Sequence, residues 1–430
     1  MNLNTPVVSA VIKNYKYSRN AFLSKEILIP LTQENGISYK ALVKPGDIVK
    51  EGEIIAESNS LTETVYIHSS MPGTGTEICP CYSFDGKQDF CIKIKFGGAL
   101  SYLGKKNTES SIEYISSASI VPQLIEKGVI NTFYTSSPEN LGLQIKNHSE
   151  YKNLVVRLFD EDVYRVTDSL VSKLYFEQIV KGSEVLAKAI NAPGIIFAID
   201  QKLEDKSITE KVNLPNSRFL EMNIRRYPSG TPREIVSAFR RSGMKKNCNF
   251  EITKHDLFVD AYTCYEVYKA VICGIPSISR LIHFSGNCLY SSCLLDVKIG
   301  TPIIDIVNQL GGFIKTPAMV LLNGALSGTS VQSLNTPVSR TTKSVEFVSY
   351  HKKTDTQLYS CGNCCNCRFV CPVKISPDIL YNNTVNFKLL PENFAASSIA
   401  CIGCGLCNTV CPSRLPLSQT IKYIKENLQE

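Results

Sequence analysis

The chain has 430 residues, 43% hydrophobic and 20% charged, which is the composition of an ordinary globular protein and excludes a disordered or fibrous one. Its net charge of +7 arises from 46 Lys and Arg against 39 Asp and Glu, spread without a basic block, so no nucleic-acid partner is expected. No run of 18 apolar residues predicts a transmembrane helix, and the opening MNLNTPVVSAVIKNYKYSRN lacks the apolar core of a signal peptide, so a cytoplasmic location with reduced thiols is expected.

Length alone suggests about three domains. From about 25 to 98 the sequence reads as short strands separated by turn signals at Pro45-Gly46-Asp47 and Glu51-Gly52. The cadence of VKPGDIVKEGEIIAES resembles the barrel-sandwich hybrid of biotinyl and lipoyl domains. Those carriers need a lysine at a hairpin tip, and none lies between Glu51 and Gly86, so a structural module is expected. His68 reads as a packing residue, since the chain's 5 histidines offer few co-ligands.

Between 115 and 250 the pattern changes. VPQLIEKG predicts a helix ended by Gly128, NLVVRLFD and PGIIFAID predict buried strands, and the intervening apolar residues fall at helical spacing with Gly182 as an interruption. Strand, helix, strand implies a parallel sheet with crossover helices. RRYPSGTPREIVSAFRRSG follows as a turn and a basic helix, whose Arg225, Arg226, Arg233, Arg240 and Arg241 read as a solvated face. From 255 to 340, AYTCYEVYKAVICG, RLIHFSGN and LDVKIGTPIIDIVNQLGG predict a small mixed α+β unit of the β-grasp kind. Residues 335–357, rich in Ser, Thr and Lys, read as a surface crossing.

The last 70 residues carry one cysteine pattern twice, 40 residues apart. Cys361, Cys364, Cys367 and Cys371 precede Pro372, and Cys401, Cys404, Cys407 and Cys411 precede Pro412. Each is C-x2-C-x2-C-x3-C-P, the run with which bacterial ferredoxins hold iron-sulfur clusters, the fourth cysteine serving the other cluster. The expected ligand sets are Cys361, Cys364, Cys367 and Cys411 for one 4Fe-4S centre, and Cys401, Cys404, Cys407 and Cys371 for its neighbour. Zinc would account for paired C-x2-C runs but not for the third cysteine, the x3 gap and the proline in both copies. A disulfide framework belongs to short secreted chains. Cys365 is one thiol too many and reads as a spectator. The remaining cysteines, Cys79, Cys81, Cys91, Cys248, Cys264, Cys273, Cys288 and Cys293, read as free thiols.

The order of these modules resembles the RnfC family of Rnf electron-transport complexes, and more distantly the flavin-carrying subunit of respiratory complex I and a cobalamin-reducing flavoprotein. The resemblance rests on VKPGDIVKEGEIIAES and YIHSSMPGTG at the front, EQIVKGSEVLAKAINAPGIIFAID, RRYPSGTPREIV, YKAVICGIPSISRLIHFSG and VKIGTPIIDIV in the middle, and the two cysteine runs at the end. It implies four modules: a barrel-sandwich hybrid over 1–110, an α/β domain like the flavin mononucleotide and NADH module over 111–254, a β-grasp domain of the SLBB kind over 255–340, and a helical twin 4Fe-4S ferredoxin-type domain over 341–430. It also implies a peripheral electron-transfer subunit on the cytoplasmic side of a membrane complex, with other subunits, ferredoxin or NAD(H) as partners. A non-enzymatic assembly role and a cobalamin-reductase-like role are the alternatives.

One departure falls where the family's flavin chemistry sits. Family members carry a loop of the type G-x-G-G-x-G-F-P and an N-x-x-E-C-E-P acidic turn, where this chain has EKGVINTFYTSSPENLGLQI and VVRLFDEDVYRVTD. Asn131, Thr132, Phe133 and Tyr134 stand in place of glycines and remove the close backbone approach that a cofactor phosphate needs. Asp160, Glu161 and Asp162 keep acidic character without the family's order. No residue is therefore assigned to flavin or NAD, and NGALSG at Gly324 to Gly328 is no replacement nucleotide loop; flavin mononucleotide held through a divergent pocket and loss of that site are the two readings the residues leave open.

Overall fold

The computed structural model describes residues 16–34, 37–58, 63–83, 86–102, 109–148, 150–162, 164–201, 216–224, 227–244, 250–349, 357–386 and 392–427. The chain divides into two compact units, one of Met1–Gly324 with Gly328–Ser349, the other of Ala325–Ser327 with Tyr350–Glu430.

Strand β1 (Lys16–Asn20) leads into a barrel of two antiparallel sheets. One sheet has the order β2-β8-β7-β4, from Glu26–Pro30, Gln88–Phe96, Gly73–Tyr82 and Ile48–Val49; the other has β3-β5-β6, from Tyr39–Ala41, Ile54–Ser58 and Tyr66–His68. Alternation turns Ile27, Ile29, Ile55, Ile67, Ile92 and Ile94 inward to one dry core. Gly46 (φ +95°) and Gly52 (φ +82°) take the left-handed conformations that the two turns require. The barrel-sandwich expectation is met.

The next module begins with a short ribbon of β9 (Ile130–Asn131) and β10 (Glu139–Asn140). It continues as a parallel sheet of β11 (Leu154–Arg157), β12 (Ile195–Asp200), β13 (Ser217–Met222) and β14 (Leu257–Asp260) in the order β13-β12-β11-β14. Every residue of β11 and β14 is buried, which is why these strands read as continuous apolar runs and not as alternation. Gly182 does not interrupt its helix, which runs unbroken over Phe176–Ala189. A Cβ there would lie 1.9 Å from the Cys264 carbonyl oxygen, so the glycine admits the helix Ala261–Val267 to close contact. The break falls earlier, at Tyr175, between Thr167–Leu174 and Phe176–Ala189.

The third module is a six-stranded mixed sheet in the order β1-β16-β15-β19-β17-β18, with β15 (Ser279–Ser285), β16 (Cys293–Lys298), β17 (Pro317–Leu322), β18 (Thr329–Val331) and β19 (Ser344–Ser349). Ile303, Ile306 and Val307 of the helix Ile303–Gln309 pack on Ile282, Leu295, Val345 and Phe347. The N-terminal strand β1 pairs in parallel with β16 and so belongs to this sheet instead of the barrel.

The reading of 335–357 as a surface crossing is overturned over its first half. Residues 336–345 are all buried, and β19 follows within the sheet. Composition misled because these polar side chains satisfy buried partners. The Lys343 ammonium sits 2.6 Å from both Asp168 and Asp260, with no exposure at any of the three. Arg340 donates to Gln33 Oε1 (2.8 Å), the Tyr39 hydroxyl (3.2 Å) and the Gly128 carbonyl (2.9 Å), which ties the barrel to the α/β module. Residues 350–356 of the stretch lie outside the described residues.

Removing one member of a buried ion set leaves the others as unpaired charges, at a cost of about 3–5 kcal/mol. Lys343→Met should therefore lower the stability measured by urea unfolding by that amount, and Lys343→Met with Asp168→Asn and Asp260→Asn should recover part of the loss. A single substitution costing under about 1 kcal/mol would show that the ion set is not structural.

Candidate functional site

The second unit is built around the cysteine runs, and its backbone repeats with them. Asn363 (φ +53°) and Gly403 (φ +68°), Cys365 (φ +59°) and Gly405 (φ +70°), and Lys374 (φ +61°) and Arg414 (φ +55°) are left-handed at corresponding positions of the two copies. Such residues between ligands turn the loop so that successive thiols face one side. Cys365 occupies the place that Gly405 takes in the second run, and caps the helix Asn366–Val370 as Gly405 caps Leu406–Thr409. A Cβ on Gly405 would lie 2.1 Å from the Leu326 carbonyl oxygen. The Cys365 thiol is directed to the Asn363 carbonyl oxygen at 3.6 Å.

The thiols assemble across the runs. Cys371 of the first run joins Cys401, Cys404 and Cys407 of the second in lining a small pocket of about 20 Å³, whose apolar side is formed by Ile375, Ile402, Leu406 and Ile421. Cys361 and Cys367 pack with Cys411, and also with Cys407 of the other set, around Leu415 and Leu417, and Cys364 is exposed on its loop. Arg368 clamps Asp378 with two charge-assisted bonds of 2.7 and 2.6 Å, fixing the helix that bears the third cysteine to the next one. The Gly403 amide donates to the Cys401 sulfur at 3.4 Å, and Lys425 holds the Cys401 carbonyl at 3.0 Å.

Burial pushes the Cys367 thiol up to about 11 and the Cys407 thiol up to about 12, and raises Cys401 in the same direction. Among the described residues no group of three or more His, Cys, Asp or Glu side chains meets closely enough to hold a single metal ion. A cubane asks for a different arrangement, because each of four thiolates takes its own iron at a corner and the sulfurs surround a cavity. The set at Cys371, Cys401, Cys404 and Cys407 fits that requirement in its donors: four soft thiols lining one largely apolar pocket.

The second candidate lies in the α/β module. Strand order runs outward from β11 through β12 and β13, then returns on the other side as β14. A ligand in such a sheet binds beyond the carboxyl ends of the strands at this reversal, between β11 and β14. Here protein fills the place. Arg157, the last residue of β11, is fully buried, donates to the carbonyls of Phe133 and Gly230 at 2.9 Å, and lies 4.1 Å over the Phe133 ring. Asp260, the last residue of β14, accepts from Thr132 Oγ1 (2.8 Å), the Thr263 amide (2.7 Å) and Lys343. Arg280 donates to Thr132 Oγ1 at 3.0 Å, and the Asn131 amide group donates to the Phe258 carbonyl at 2.9 Å.

Three of the four residues that replace glycines, Asn131, Thr132 and Phe133, are therefore buried in this plug, and Tyr134 is at its rim. Burial pushes the Asp168 carboxyl up to about 6 against the pull of Lys343, whereas at Asp260 burial is outweighed by Lys343 and the Thr263 amide, and the carboxyl stays below the ordinary range. The acidic turn faces inward: Asp160 takes the Arg165 guanidinium at 3.0 Å and the amides of Asp168 and Ser169, and Glu161 stands 3.5 Å from Arg157. These residues do not fit a flavin phosphate and ring. Sequence reading missed Lys343, Arg280 and Arg340; the one available signal was Arg157, a charge inside an otherwise apolar strand.

Other expectations resolve simply. Arg233, Arg240 and Arg241 lie on the helix Pro232–Arg241, with Arg240 and Arg241 exposed, while Arg225, Arg226 and Cys248 lie outside the described residues. An open depression of about 590 Å³ beyond β13, lined by Met222, Asn223, Ser229, Arg241 and Met244, adjoins segments also outside the described residues. Burial, with Arg340 and Lys127 nearby, holds the His68 imidazole down to about 3, which suits a neutral packing residue.

Residues 13–99 match the model of the RnfC barrel sandwich hybrid domain. Over longer stretches the chain is similar to the C subunits of ion-translocating oxidoreductase complexes. It is 22% identical to that of Haemophilus influenzae over 84% of this chain and 44% of the relative, and 23% identical to that of Rhodobacter capsulatus over 94% and 78%. It is also 20% identical to the C subunit of the Na(+)-translocating ferredoxin:NAD(+) oxidoreductase complex of Acetobacterium woodii, over 82% of this chain and 79% of the relative. The chain thus spans less than half of the Haemophilus protein and about four fifths of the other two. A solved NAD+-reducing [NiFe]-hydrogenase overlaps 59% of this chain and 51% of its own, with a TM-score of 0.45 and 14% identity. The resemblance to the RnfC family read from the sequence is borne out at this modest identity. No helix among the described residues is long and apolar enough to cross a membrane.

The grouping of thiols sets one expectation and the buried imidazoles another. In reduced, cluster-loaded protein, Cys371→Ser should alter the paramagnetic signal of the centre held mainly by the second run, and Cys411→Ser that of the first. Changes confined to each mutated run would overturn crossed ligation. For His68, the folded-state pKa lies below the unfolded value of about 6.5, so its contribution to stability is complete above that pH and is lost as pH falls towards 3, by up to about 1.4 kcal/mol per unit. His283, held down to about 4 by burial, adds to the same decline. Urea titrations at pH 7, 5.5 and 4.5 should show a shallower decline for His68→Leu than for the parent; equal slopes would remove His68 from the account.

Proposed function

We propose that this chain is the electron-relaying C-type subunit of an Rnf-type ion-translocating complex. It carries two 4Fe-4S clusters, one on Cys361, Cys364, Cys367 and Cys411, the other on Cys401, Cys404, Cys407 and Cys371. The observation that carries this reading is the grouping of thiols across the two runs, with Cys371 seated among Cys401, Cys404 and Cys407. When bound, such clusters pass single electrons without bond rearrangement. The chain's own residues hold the thiols in preset loops, keep one set in an apolar surround, and orient Cys401 through the Gly403 amide and Lys425.

Its partners are the other subunits of a membrane complex, which it meets as a peripheral protein on the cytoplasmic side, with a ferredoxin-level carrier or NAD(H) at the far end of the relay. The flavin function belongs elsewhere in the assembly. Arg157, Phe133, Thr132 and Lys343 occupy the crevice where a phosphate and ring would enter, so the two-electron step is carried out by another subunit.

Protein prepared without oxygen should contain about eight iron and eight acid-labile sulfide per chain, because two complete ligand sets are present. Acid extraction should release little flavin mononucleotide, and dithionite should reduce both clusters. About four iron, or stoichiometric zinc, would overturn the cluster assignment. Stoichiometric flavin with NADH-dependent cluster reduction would instead overturn the closed crevice and restore a dehydrogenase role.

A further inference from the structure

The hairpin of β7 and β8 carries three cysteines that no part of the relay uses. Cys79 and Cys91 are directly opposed in the antiparallel register, and Cys81, two residues along β7, projects from the same side of the ribbon. The Cys79 and Cys91 sulfurs are 3.4 Å apart, the Cys91 thiol lies 3.4 Å from the Cys79 carbonyl oxygen, and the Cys81 side chain neighbours Cys91. Directly opposed antiparallel residues have Cα atoms about 4.5–5.5 Å apart, inside the range that a disulfide spans, so closing the bond asks for side-chain rotation and no strand movement. Cys91 has no exposure and Cys81 little, but Cys79 is partly open to solvent, which gives an oxidant one point of entry. Beyond the thiols, the hairpin's Gly86 rests against Thr329 and Ser330 of β18, its Cβ position 3.3 Å from both.

We propose that Cys79, Cys81 and Cys91 form a two-electron dithiol/disulfide centre, oxidised by a low-molecular-weight disulfide. The Cys79 thiolate attacks one sulfur of that disulfide, forming a mixed disulfide and expelling one small thiolate, which takes up the proton released from Cys79. The Cys91 thiolate then attacks the Cys79 sulfur, forming the Cys79–Cys91 bond and expelling the second small thiol with the proton from Cys91. Two protein thiols are oxidised and one small disulfide is reduced to two thiols. Cys81, beside Cys91, is placed to attack it in turn and move the bond to Cys81–Cys91, so either β7 thiol closes the link. Burial pushes the Cys79 thiol up to about 12, and the Cys81 side chain with burial holds the Cys91 thiol higher still, so little of either thiolate exists near neutrality and the exchange is slow. This centre is independent of the cluster assignment.

The test uses the whole chain, incubated with glutathione disulfide or with dithiothreitol, then alkylated and cut with trypsin. Cleavage at Lys50, Lys87 and Lys93 puts Cys79 and Cys81 on peptide 51–87 and Cys91 alone on peptide 88–93. The oxidised sample should yield the two peptides joined, lighter by two hydrogens than their sum and with one alkylated thiol, and dithiothreitol should abolish the joined species. Cys81→Ser should retain a joined peptide through Cys79, Cys79→Ser should lose it on the same timescale because the entry thiol is gone, and Cys91→Ser should give none. Fully alkylated peptide 88–93 after oxidation, a stable glutathione adduct on Cys79, or a Cys79–Cys81 bond with Cys91 still alkylated would each overturn the proposal.

Discussion

The fold of the larger unit depends on a pair of cations buried on one short segment. Lys343 stands between Asp168 and Asp260 at the carboxyl ends of the parallel sheet, and three residues earlier Arg340 reaches Gln33, Tyr39 and Gly128. Charges without exposed surface persist only when their partners are in place, because an unpaired one costs several kcal/mol. The segment 336–343 therefore couples three modules: it enters the mixed sheet at β19, pins the barrel through Arg340, and seals the α/β module through Lys343. Arg280, stacked 4.0 Å over the Tyr262 ring and bonded to Thr132, extends the same network to β15.

That network also decides the chemistry. The reversal of strand order between β11 and β14 creates a crevice by topology, whatever the sequence. Whether the crevice binds anything depends on the residues at its mouth, and here these are Arg157, which donates to the Phe133 carbonyl and stacks on its ring, and Lys343, which stands between Asp168 and Asp260. The α/β module thus has a parallel sheet with a strand-order reversal whose mouth is occupied by its own side chains.

The cysteine unit follows the opposite logic. Its loops are set locally, by left-handed residues at fixed offsets and by prolines after each fourth cysteine. The left-handed positions match between the copies, and the exchange of Cys365 for Gly405 is explained by the Leu326 carbonyl, which crowds the position in the second run. Little tertiary structure is needed to make such loops. What folding adds is the pairing of copies, which brings Cys371 to the second run and Cys411 to the first.

How much was legible follows from this division. The barrel was readable because Pro45-Gly46-Asp47 and Glu51-Gly52 are turn chemistry, and the turns appear with Gly46 and Gly52 left-handed. The parallel strands were readable because burial on both faces leaves uninterrupted apolar runs such as IIFAID. The loss of glycine at Asn131 to Tyr134 was visible as composition. Gly182 was misread, since a glycine that breaks a helix and one that admits a neighbour look alike until the neighbour is in place. The polar run from Thr336 was misread for the same reason: a buried lysine differs from an exposed one only in its partners, and Asp168 and Asp260 lie 175 and 83 residues away along the chain. The sequence by itself determined the local geometry, turns, strands and thiol spacing, because those depend on φ preferences and on neighbours a few residues apart. Only the tertiary structure decided which charges are buried and what fills the crevice, because those depend on residues that meet only when the chain has folded.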